Sequence, residues 1–407
     1  MQLSPEFRLV AACCIWPPSE RRNEAIREAA DSSIDWDRFA RVVKRQRVAG
    51  LVCDGLRRAC VTANAVVQVQ IEKQASGIIL QNLRFVSEVI RLQDAFDNVN
   101  IPTLFVKGVT LAQIVYGGLD IRHSKDIDCL VPLEHITAAL KVLSRLDYRR
   151  IAPPEGCSDR EFEYCLSTGK EFEYVHRSRG HQVELHWSLL DNPYLINGVF
   201  PTSTKRVLIA NQYSISTLAD DELFIYLCTH GASHAWSRLK WLADIGAILD
   251  CKNYSEISDL FHTAETRGAG RCAAQAMLLC KRLFDTSVPD DLIARFRGTA
   301  LLRRLEMVAL TSMVGAGSEI ELEDRPFGST RAFLAQFLLG TGCRFWIAQL
   351  RLMLSNADDV DLVPLPKYLH FLYPVIRLPL WLFRRLKNAG KSPDMSHRPQ
   401  LNRSWRQ

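Results

Sequence analysis

Residues 101–131 read IPTLFVKGVTLAQIVYGGLDIRHSKDIDCLV, and residues 182–187 read QVELHW. An apolar run that ends in a glycine and is followed by an amphipathic segment predicts a strand, a tight turn and a helix. The elements predicted here are a strand at 101–106, a turn at Gly108, a helix at 109–117 and a strand at 124–131. The second quoted stretch predicts one strand of an antiparallel hairpin that turns at Ser178-Arg179-Gly180.

Acidic residues lie on both of the later strands. Alternate residues of a strand point to the same face, so Asp126 and Asp128 are expected to present two carboxylates side by side. An apolar strand carrying Glu184 can lie beside them and supply a third acid. Three hard oxygen ligands on a sheet suit a Mg²⁺ ion that is shared with a substrate phosphate.

Two acids at alternate positions carry little information alone, since the chain has further pairs at Glu161/Glu163, Glu171/Glu173, Glu319/Glu321 and Asp359/Asp361. The specific signal is the combination of glycine turn, helix, acidic strand and later acid, and the segment 107–186 supplies all four. The non-catalytic interpretation is that Asp126 and Asp128 cap a strand edge or pair with Arg122 and Lys125.

Composition excludes several classes of protein. Of 407 residues, 47% are hydrophobic and 24% charged, which is typical of globular proteins and not of disordered ones. A net charge of +6 is compatible with anionic substrates, but it gives no strong nucleic-acid signal. None of the twelve cysteines forms a CxxC pair, so no zinc knuckle is indicated. P-loop, GxGxxG, kinase and GxSxG motifs are absent from the sequence.

The sequence predicts a cytoplasmic protein. Its N-terminus is a poor secretory signal, the scattered cysteines fit a reducing compartment, and no apolar run approaches the roughly 20 residues of a transmembrane helix. The tail at 362–387 contains an apolar run followed by cations. It is expected to be a helix docked on the core, and the alternative is peripheral contact with a membrane.

Helices are predicted on both sides of the central segment. The main candidates are 20–100, with one helix opening at Ser32-Ser33 and another at 64–98, then 133–146, 220–250 and 269–284. Residues 315–330 are the best linker candidate. The predicted organisation is an N-terminal helical segment at 1–99, an α/β core at 100–215, a helical domain at 216–315 and a helical extension with a basic tail at 316–407.

Three blocks resemble a known group of enzymes. VKGVTLAQIVYGG, IRHSKDIDCLV and VELHWSL are similar to the glycine turn, the DxD strand and the acid-x-His strand of an uncharacterised bacterial nucleotidyltransferase family. That family lies in the superfamily with the DNA polymerase β-like fold. HGASHAWSRLKWLADI, at 230–245, resembles the family's "H…W.RLKWL.DI" helix. The resemblance covers roughly residues 30–290 and implies an α/β (α+β) core with a mixed sheet.

The resemblance also implies roles for individual residues. Asp126, Asp128 and Glu184 would be the catalytic, metal-binding acids, with Mg²⁺ as the expected ion and Mn²⁺ as the alternative. The residues expected to contact the nucleotide are Lys107, Gly108, Thr110, Arg122, Lys125, His186, Arg238 and Lys240. Asp244 is expected to pair with Lys240, four residues before it.

Two departures from the superfamily pattern matter. Val109 stands where a serine usually follows the glycine, so Thr110 is expected to replace the missing hydroxyl. The gap from Gly108 to Asp126 is also longer than usual.

The predicted reaction is transfer of a nucleoside monophosphate from an NTP, with ATP expected, to an acceptor hydroxyl. The acceptor could be a small molecule, a sugar, a protein or an RNA end, and a role in polysaccharide or envelope biosynthesis is one option. The alternative function is a non-catalytic nucleotide sensor or scaffold with the same fold.

Overall fold

The computed structural model describes residues 3–196, 201, 203–314, 318–322 and 328–354, with single positions between 363 and 376. Helices flank a five-stranded mixed sheet, so the predicted mixed α/β class is confirmed. The domain boundaries stay a prediction.

The first hundred residues are helical, as predicted. The long helix expected at 64–98 is confirmed almost to the residue, but the helix expected to open at Ser32-Ser33 begins later. The Asp35 side chain caps it by accepting a hydrogen bond from the Arg38 N–H, at 3.0 Å. Aspartate caps a helix as well as serine does, so the predicted start was wrong by a few residues. The helices are α1 (Pro5–Cys13), α2 (Glu20–Ala30), α3 (Trp36–Gln46), α4 (Ala49–Ala59) and α5 (Ala65–Asp97).

The sheet has the spatial order β1-β2-β5-β4-β3. Strands β2 and β5 are parallel, while every other neighbouring pair is antiparallel. Its strands are β1 (Leu104–Phe105), β2 (Ile127–Leu130), β3 (Tyr148–Ala152), β4 (Glu171–His176) and β5 (Gln182–His186), and the helices between them are α6 (Gly108–Tyr116), α7 (Ile136–Arg145) and α8 (Asp159–Thr168).

The first two strands are shorter than predicted. Pro102 has no N–H to donate to a ladder, so β1 pairs with β2 only at Leu104 and Phe105. The chain before β2 is held elsewhere, because the Asn82 amide donates to the carbonyl oxygen of Arg122 at 2.9 Å. Asp126 therefore precedes β2 instead of lying within it.

The predicted hairpin forms between β4 and β5, with Gly180 at a φ of +69° in its turn. Sequence analysis did not predict β3, α8 or a second hairpin. That hairpin consists of β6 (Thr204–Ile209) and β7 (Tyr213–Leu218), and its turn places Ala210 and Asn211 at positive φ. No glycine marks the second turn, so the usual sequence signal is missing.

The helix predicted at 220–250 is two helices. Ala235 and Trp236 have φ values of 49° and 50°, which end the first helix, and the Trp236 ring folds back onto Gly231. A Cβ at Gly231 would lie 2.3 Å from that ring. The later helices are α9 (Asp220–Ser233), α10 (Leu239–Asp250), α11 (Tyr254–Thr266), α12 (Gly270–Phe284), α13 (Asp290–Gly298), α14 (Ala300–Val314), α15 (Gly328–Ala335) and α16 (Cys343–Leu354).

Two hydrophobic clusters form most of the core. One joins the N-terminal helices to α9–α14, with Phe39, Leu242 and Met277 among its fully buried members. The other lies between the sheet, α7 and the second half of α5. The N-terminal helices thus pack against both the sheet and the later helices.

The linker predicted at 315–330 and the tail at 362–387 lie largely outside the described residues. Within the described part of the chain, no helix combines the length and apolar character needed to cross a membrane.

We expect Gly50→Ala to destabilise the protein. The new Cβ would lie 2.2 Å from the Ile121 carbonyl oxygen, a backbone atom that cannot rotate away. Overpacking of this kind costs about 1–3 kcal/mol, and thermal or urea unfolding measures it. Gly77→Ala is the control, because no atom lies within 4 Å of the added Cβ in the same kind of helix. It should stabilise by about 0.5–1 kcal/mol. Equal stability of Gly50→Ala and the wild type would contradict the packing described.

Candidate active site

The glycine turn at the end of β1 opens the site. Gly108 has a φ of +63°, a conformation that side chains disfavour, and it begins α6 with no side-chain cap. The first N–H groups of α6 are therefore available to a ligand. A Cβ at Gly108 would lie 3.6 Å from the Asp126 carbonyl oxygen and 4.0 Å from Ser124 Oγ, so the turn faces the segment before β2.

Carboxylates from two strands meet beside this turn. As predicted, the strand carrying Glu184 lies next to β2, and the parallel register sets Asp128 beside Glu184 and Leu130 beside His186. The side chains of Asp128, Glu184 and His186 are buried, and their ligand atoms all lie within 4.8 Å of one another. We call these three residues the carboxylate–histidine cluster.

Asp126 lines the same cavity but does not belong to the cluster. It is half-buried, one residue before β2. Burial and the negative charge of Asp128 raise the pKa of its carboxyl group. The two acids of the DxD motif therefore differ in position and in electrostatic environment.

Lys107 neutralises Asp128 directly. Its ammonium nitrogen lies 2.8 Å from Asp128 Oδ1, and both side chains are largely buried. Burial by itself would lower the pKa of Lys107, but the carboxylates around it, Asp128 first among them, raise that pKa well above its usual value. Burial would also raise the pKa of Asp128, yet Lys107 and His186 hold it well below its usual range.

His186 connects the cluster to a fourth acid. Its Nδ1 lies 3.0 Å from Glu171 Oε2, while its Nε2 lies 3.4 Å from both Asp128 Oδ1 and Glu184 Oε2. The last two distances are long for an N–H···O hydrogen bond. Glu171 thus orients the ring so that Nε2 faces the two carboxylates, as carboxylates do for metal-binding histidines.

These donors fit a divalent cation once the His186 ring is neutral. Burial would lower the pKa of this ring, but Glu171, Asp128 and Glu184 raise it well above its usual value, so a cation would displace the ring proton when it binds. Two carboxylates and an imidazole nitrogen converge within ligand reach, and His186 Nε2 is buried with no hydrogen-bond partner among the described residues. Carboxylate oxygens suit Mg²⁺ and Mn²⁺, and imidazole is better suited to transition metals.

An open cavity extends from the Gly108 turn to Asp128 of the cluster. Its lining combines the acids with an excess of cations. The residues are Arg47, Lys107, Gly108, Arg122, His123, Ser124, Lys125, Asp126, Asp128, His230, Lys240 and Trp241.

Arg122 lines the cavity while its guanidinium is tied to Asp244. Its Nε donates to Asp244 Oδ1 and Oδ2 at 3.1 and 3.0 Å, and the Tyr116 hydroxyl donates to Oδ1 at 3.0 Å. The prediction that Asp244 pairs with Lys240 was therefore wrong, because Asp244 pairs with Arg122. The role of Arg122 in clamping a phosphate stays a prediction.

Two predicted nucleotide contacts lie away from the cavity. The Thr110 hydroxyl is fully buried and donates to the carbonyl oxygens of Phe105 and Lys107, at 2.9 and 2.7 Å, so it does not replace the missing serine. Arg238 donates to the Arg45 carbonyl oxygen and to Glu321. Both side chains are held inside the fold by these bonds.

Ser124 and Glu171 are site residues that were not predicted from the sequence. Ser124 Oγ faces the Gly108 turn and is buried with no hydrogen-bond partner among the described residues, so it is the hydroxyl placed where Thr110 was expected. Glu171 pairs with His186 across the predicted hairpin. Pairing residues outward from the predicted hairpin turn at 178–180 places Glu171 opposite His186, so the sequence contained this signal.

The rings of His230 and His234 are in tilted contact, with centroids 4.6 Å apart, and both rings contact Trp241. Burial lowers the pKa of both rings, that of His234 to about 3. They form a neutral aromatic wall beside the cavity.

Residues 32–285, more than half of the chain, match the family model described as "Uncharacterised nucleotidyltransferase". The chain belongs to this family and is therefore a transferase enzyme. No curated protein and no solved structure shows a significant match to it.

We expect Asp244→Asn to destabilise the protein by about 3–5 kcal/mol, because the buried Arg122 guanidinium would lose its counter-charge. Asp250→Asn on the same helix is the matched control. Its partner Arg21 is half-exposed, and burial raises the pKa of Asp250, so the loss should stay below about 1 kcal/mol. Urea unfolding of both variants measures the difference. Similar losses in the two would contradict a structural role for the Arg122–Asp244 pair.

Proposed function

We propose that the protein transfers a nucleoside monophosphate from an NTP to an acceptor hydroxyl, using a divalent cation held at the carboxylate–histidine cluster. The observation that carries the proposal is the parallel register of Asp128 and Glu184 beside the Gly108 turn. This register brings acids from two strands next to a helix N-terminus, where phosphates bind favourably.

Asp128, Glu184 and His186 would hold the cation, with Asp126 completing its coordination from the cavity side. When bound, the cation would supply positive charge to the α-phosphate and its leaving group. Mg²⁺ remains the expected ion, and the imidazole of His186 makes Mn²⁺ a strong alternative.

The triphosphate would lie against the Gly108 turn. The N–H groups of α6 and the Ser124 hydroxyl can donate hydrogen bonds to its oxygens, while Lys107 and Lys125 contribute positive charge. Lys107 already neutralises Asp128, so its first role is to keep that acid ionised.

Glu184 is suited to accept the proton of the acceptor hydroxyl. Burial, together with the negative charges of Glu171 and Asp126, raises the pKa of Glu184 to about 8, so this acid binds a proton at neutral pH until a cation beside it favours the ionised form. Once ionised, a carboxylate of raised pKa is a stronger base. The acceptor oxygen would bond to the α-phosphorus as the bond to pyrophosphate breaks, and the proton would pass to Glu184. The identities of base and acceptor stay predictions, with ATP expected.

The test is incubation of the protein with each α-labelled NTP, Mg²⁺ or Mn²⁺, and a cell extract. Wild-type protein should transfer label to an acceptor, and Glu184→Gln should reduce the rate by at least about 100-fold, because a general base contributes that much. Asp126→Asn should also reduce it.

Glu134→Gln is the control, since Glu134 is an exposed acid that follows β2 outside the cavity. It should retain wild-type activity. Transfer by Glu184→Gln at the wild-type rate would contradict the assigned chemistry, and absence of transfer by the wild type with every NTP would contradict the proposed reaction.

A further inference from the structure

Three separate segments contribute nitrogen-bearing side chains to the lining of the cavity. The corner after α3 contributes Arg47, the loop between α6 and β2 contributes His123, and the start of α10 contributes Lys240. We call these three residues the cationic rim, with Arg47 and Lys240 as its cations and His123 as a neutral hydrogen-bonding group. None of them belongs to the carboxylate–histidine cluster, and Arg47 and His123 have no role in the chemistry described above.

The corner carrying Arg47 is fastened to the start of α10. The Gln46 side-chain oxygen accepts a hydrogen bond from the Leu239 N–H at 2.7 Å, and the Arg45 carbonyl oxygen accepts one from Arg238 Nη1 at 2.6 Å. Arg47 directly follows Gln46, and Lys240 directly follows Leu239, so the Gln46–Leu239 hydrogen bond lies next to both cations. Arg47 itself is held in the left-handed conformation, with a φ of 57°.

The loop carrying His123 is also fixed. The Asn82 amide donates to the carbonyl oxygens of Leu119 and Arg122, at 2.7 and 2.9 Å. Helix α4 lies so close to the loop that Gly50 has no room for a Cβ beside Ile121. The rim is therefore built from positions that the surrounding backbone holds in place.

The two rim cations form no close ion pair among the described residues, although Asp126 in the same cavity attracts both of them. Within the described part of the chain, His123 Nδ1 is buried with no hydrogen-bond partner. Burial lowers the pKa of Lys240 to about 7, with further lowering by Arg122 and Arg47. Burial, followed by Lys240 and Arg47, likewise lowers the pKa of His123 to about 4. Clustered cations that repel one another are stabilised when an anion binds between them.

We propose that the cationic rim binds the β- and γ-phosphates of the NTP, so that the enzyme selects triphosphates over monophosphates. This inference builds on the proposed function and assigns the substrate's polyphosphate end to residues from the N-terminal helices. A triphosphate is the favoured occupant because the same cavity holds the Gly108 turn and the acids that would place the α-phosphate.

The long gap between Gly108 and Asp126 contains the loop that contributes His123 to the rim. A shorter gap would connect α6 directly to β2, whereas the loop after α6 reaches Gly50 of α4 and places His123 in the same cavity lining as Arg47 and Lys240. The N-terminal helices would thus be part of the nucleotide site.

The experiment measures binding of ATP, AMP and inorganic tripolyphosphate by calorimetry, with Ca²⁺ present so that binding does not depend on turnover. Arg47→Gln and Lys240→Gln should each weaken ATP and tripolyphosphate binding by about 10- to 100-fold, which corresponds to the loss of one charged hydrogen bond. AMP binding should change less than about twofold, and Arg47→Lys should recover part of the lost affinity because it keeps the charge.

Lys44→Gln is the matched control, an exposed cation on the same helix as the Arg47 corner, and it should bind all three ligands like the wild type. Thermal unfolding checks that each variant is folded. Unchanged tripolyphosphate binding in both rim variants would overturn the proposal, as would equal weakening of AMP and ATP.

The two proposals can fail separately. Wild-type binding of tripolyphosphate through the rim without nucleotidyl transfer would remove the proposed reaction and leave the rim. Nucleotidyl transfer by the wild type, together with normal ATP binding in both rim variants, would remove the proposal for the rim and leave the proposed reaction.

Discussion

The parallel pairing of β2 with β5 is the constraint on which the site depends. The register of this parallel pair sets Asp128 beside Glu184 and Leu130 beside His186. A slip of one residue would turn the acids to the opposite face of the sheet, where the apolar neighbours Cys129 and Leu185 now point into the core. The packing of that core therefore also fixes the geometry of the carboxylate–histidine cluster.

Burying so many ionisable groups is tolerable because their signs alternate. Unpaired buried charges are strongly destabilising, and each charge here has an opposite neighbour within 3.4 Å. The series runs Lys107, Asp128, His186 in its protonated form, Glu171, Lys170 and, at its exposed end, Asp191. Arg47 and Lys240 of the cationic rim lie outside this series, since they form no close ion pair among the described residues and are attracted by Asp126 across the cavity.

Sequence patterns predicted the elements that depend on local chemistry. Gly108 at positive φ, the hairpin around Gly180 and the long α5 all carry signals within a few residues, and the acids were found because they interrupt apolar strands. Contacts between distant segments had no such signal. The Arg122–Asp244 pair, the inward Thr110 hydroxyl and the arrival of Arg47 in the cavity depend on how helices pack, which periodicity does not encode. The break at Trp236 likewise comes from a side chain that packs on Gly231.

The most direct test of the account is the affinity of the protein for Mn²⁺, measured by electron paramagnetic resonance with and without ATP. We expect the wild type and Glu134→Gln to bind Mn²⁺ alike, and ATP to tighten the binding. Asp128→Asn and Glu184→Gln should each weaken it by at least about tenfold, because each removes a carboxylate ligand. Retention of wild-type Mn²⁺ affinity by both acid variants, with their folds intact, would contradict the assignment of the metal to the carboxylate–histidine cluster.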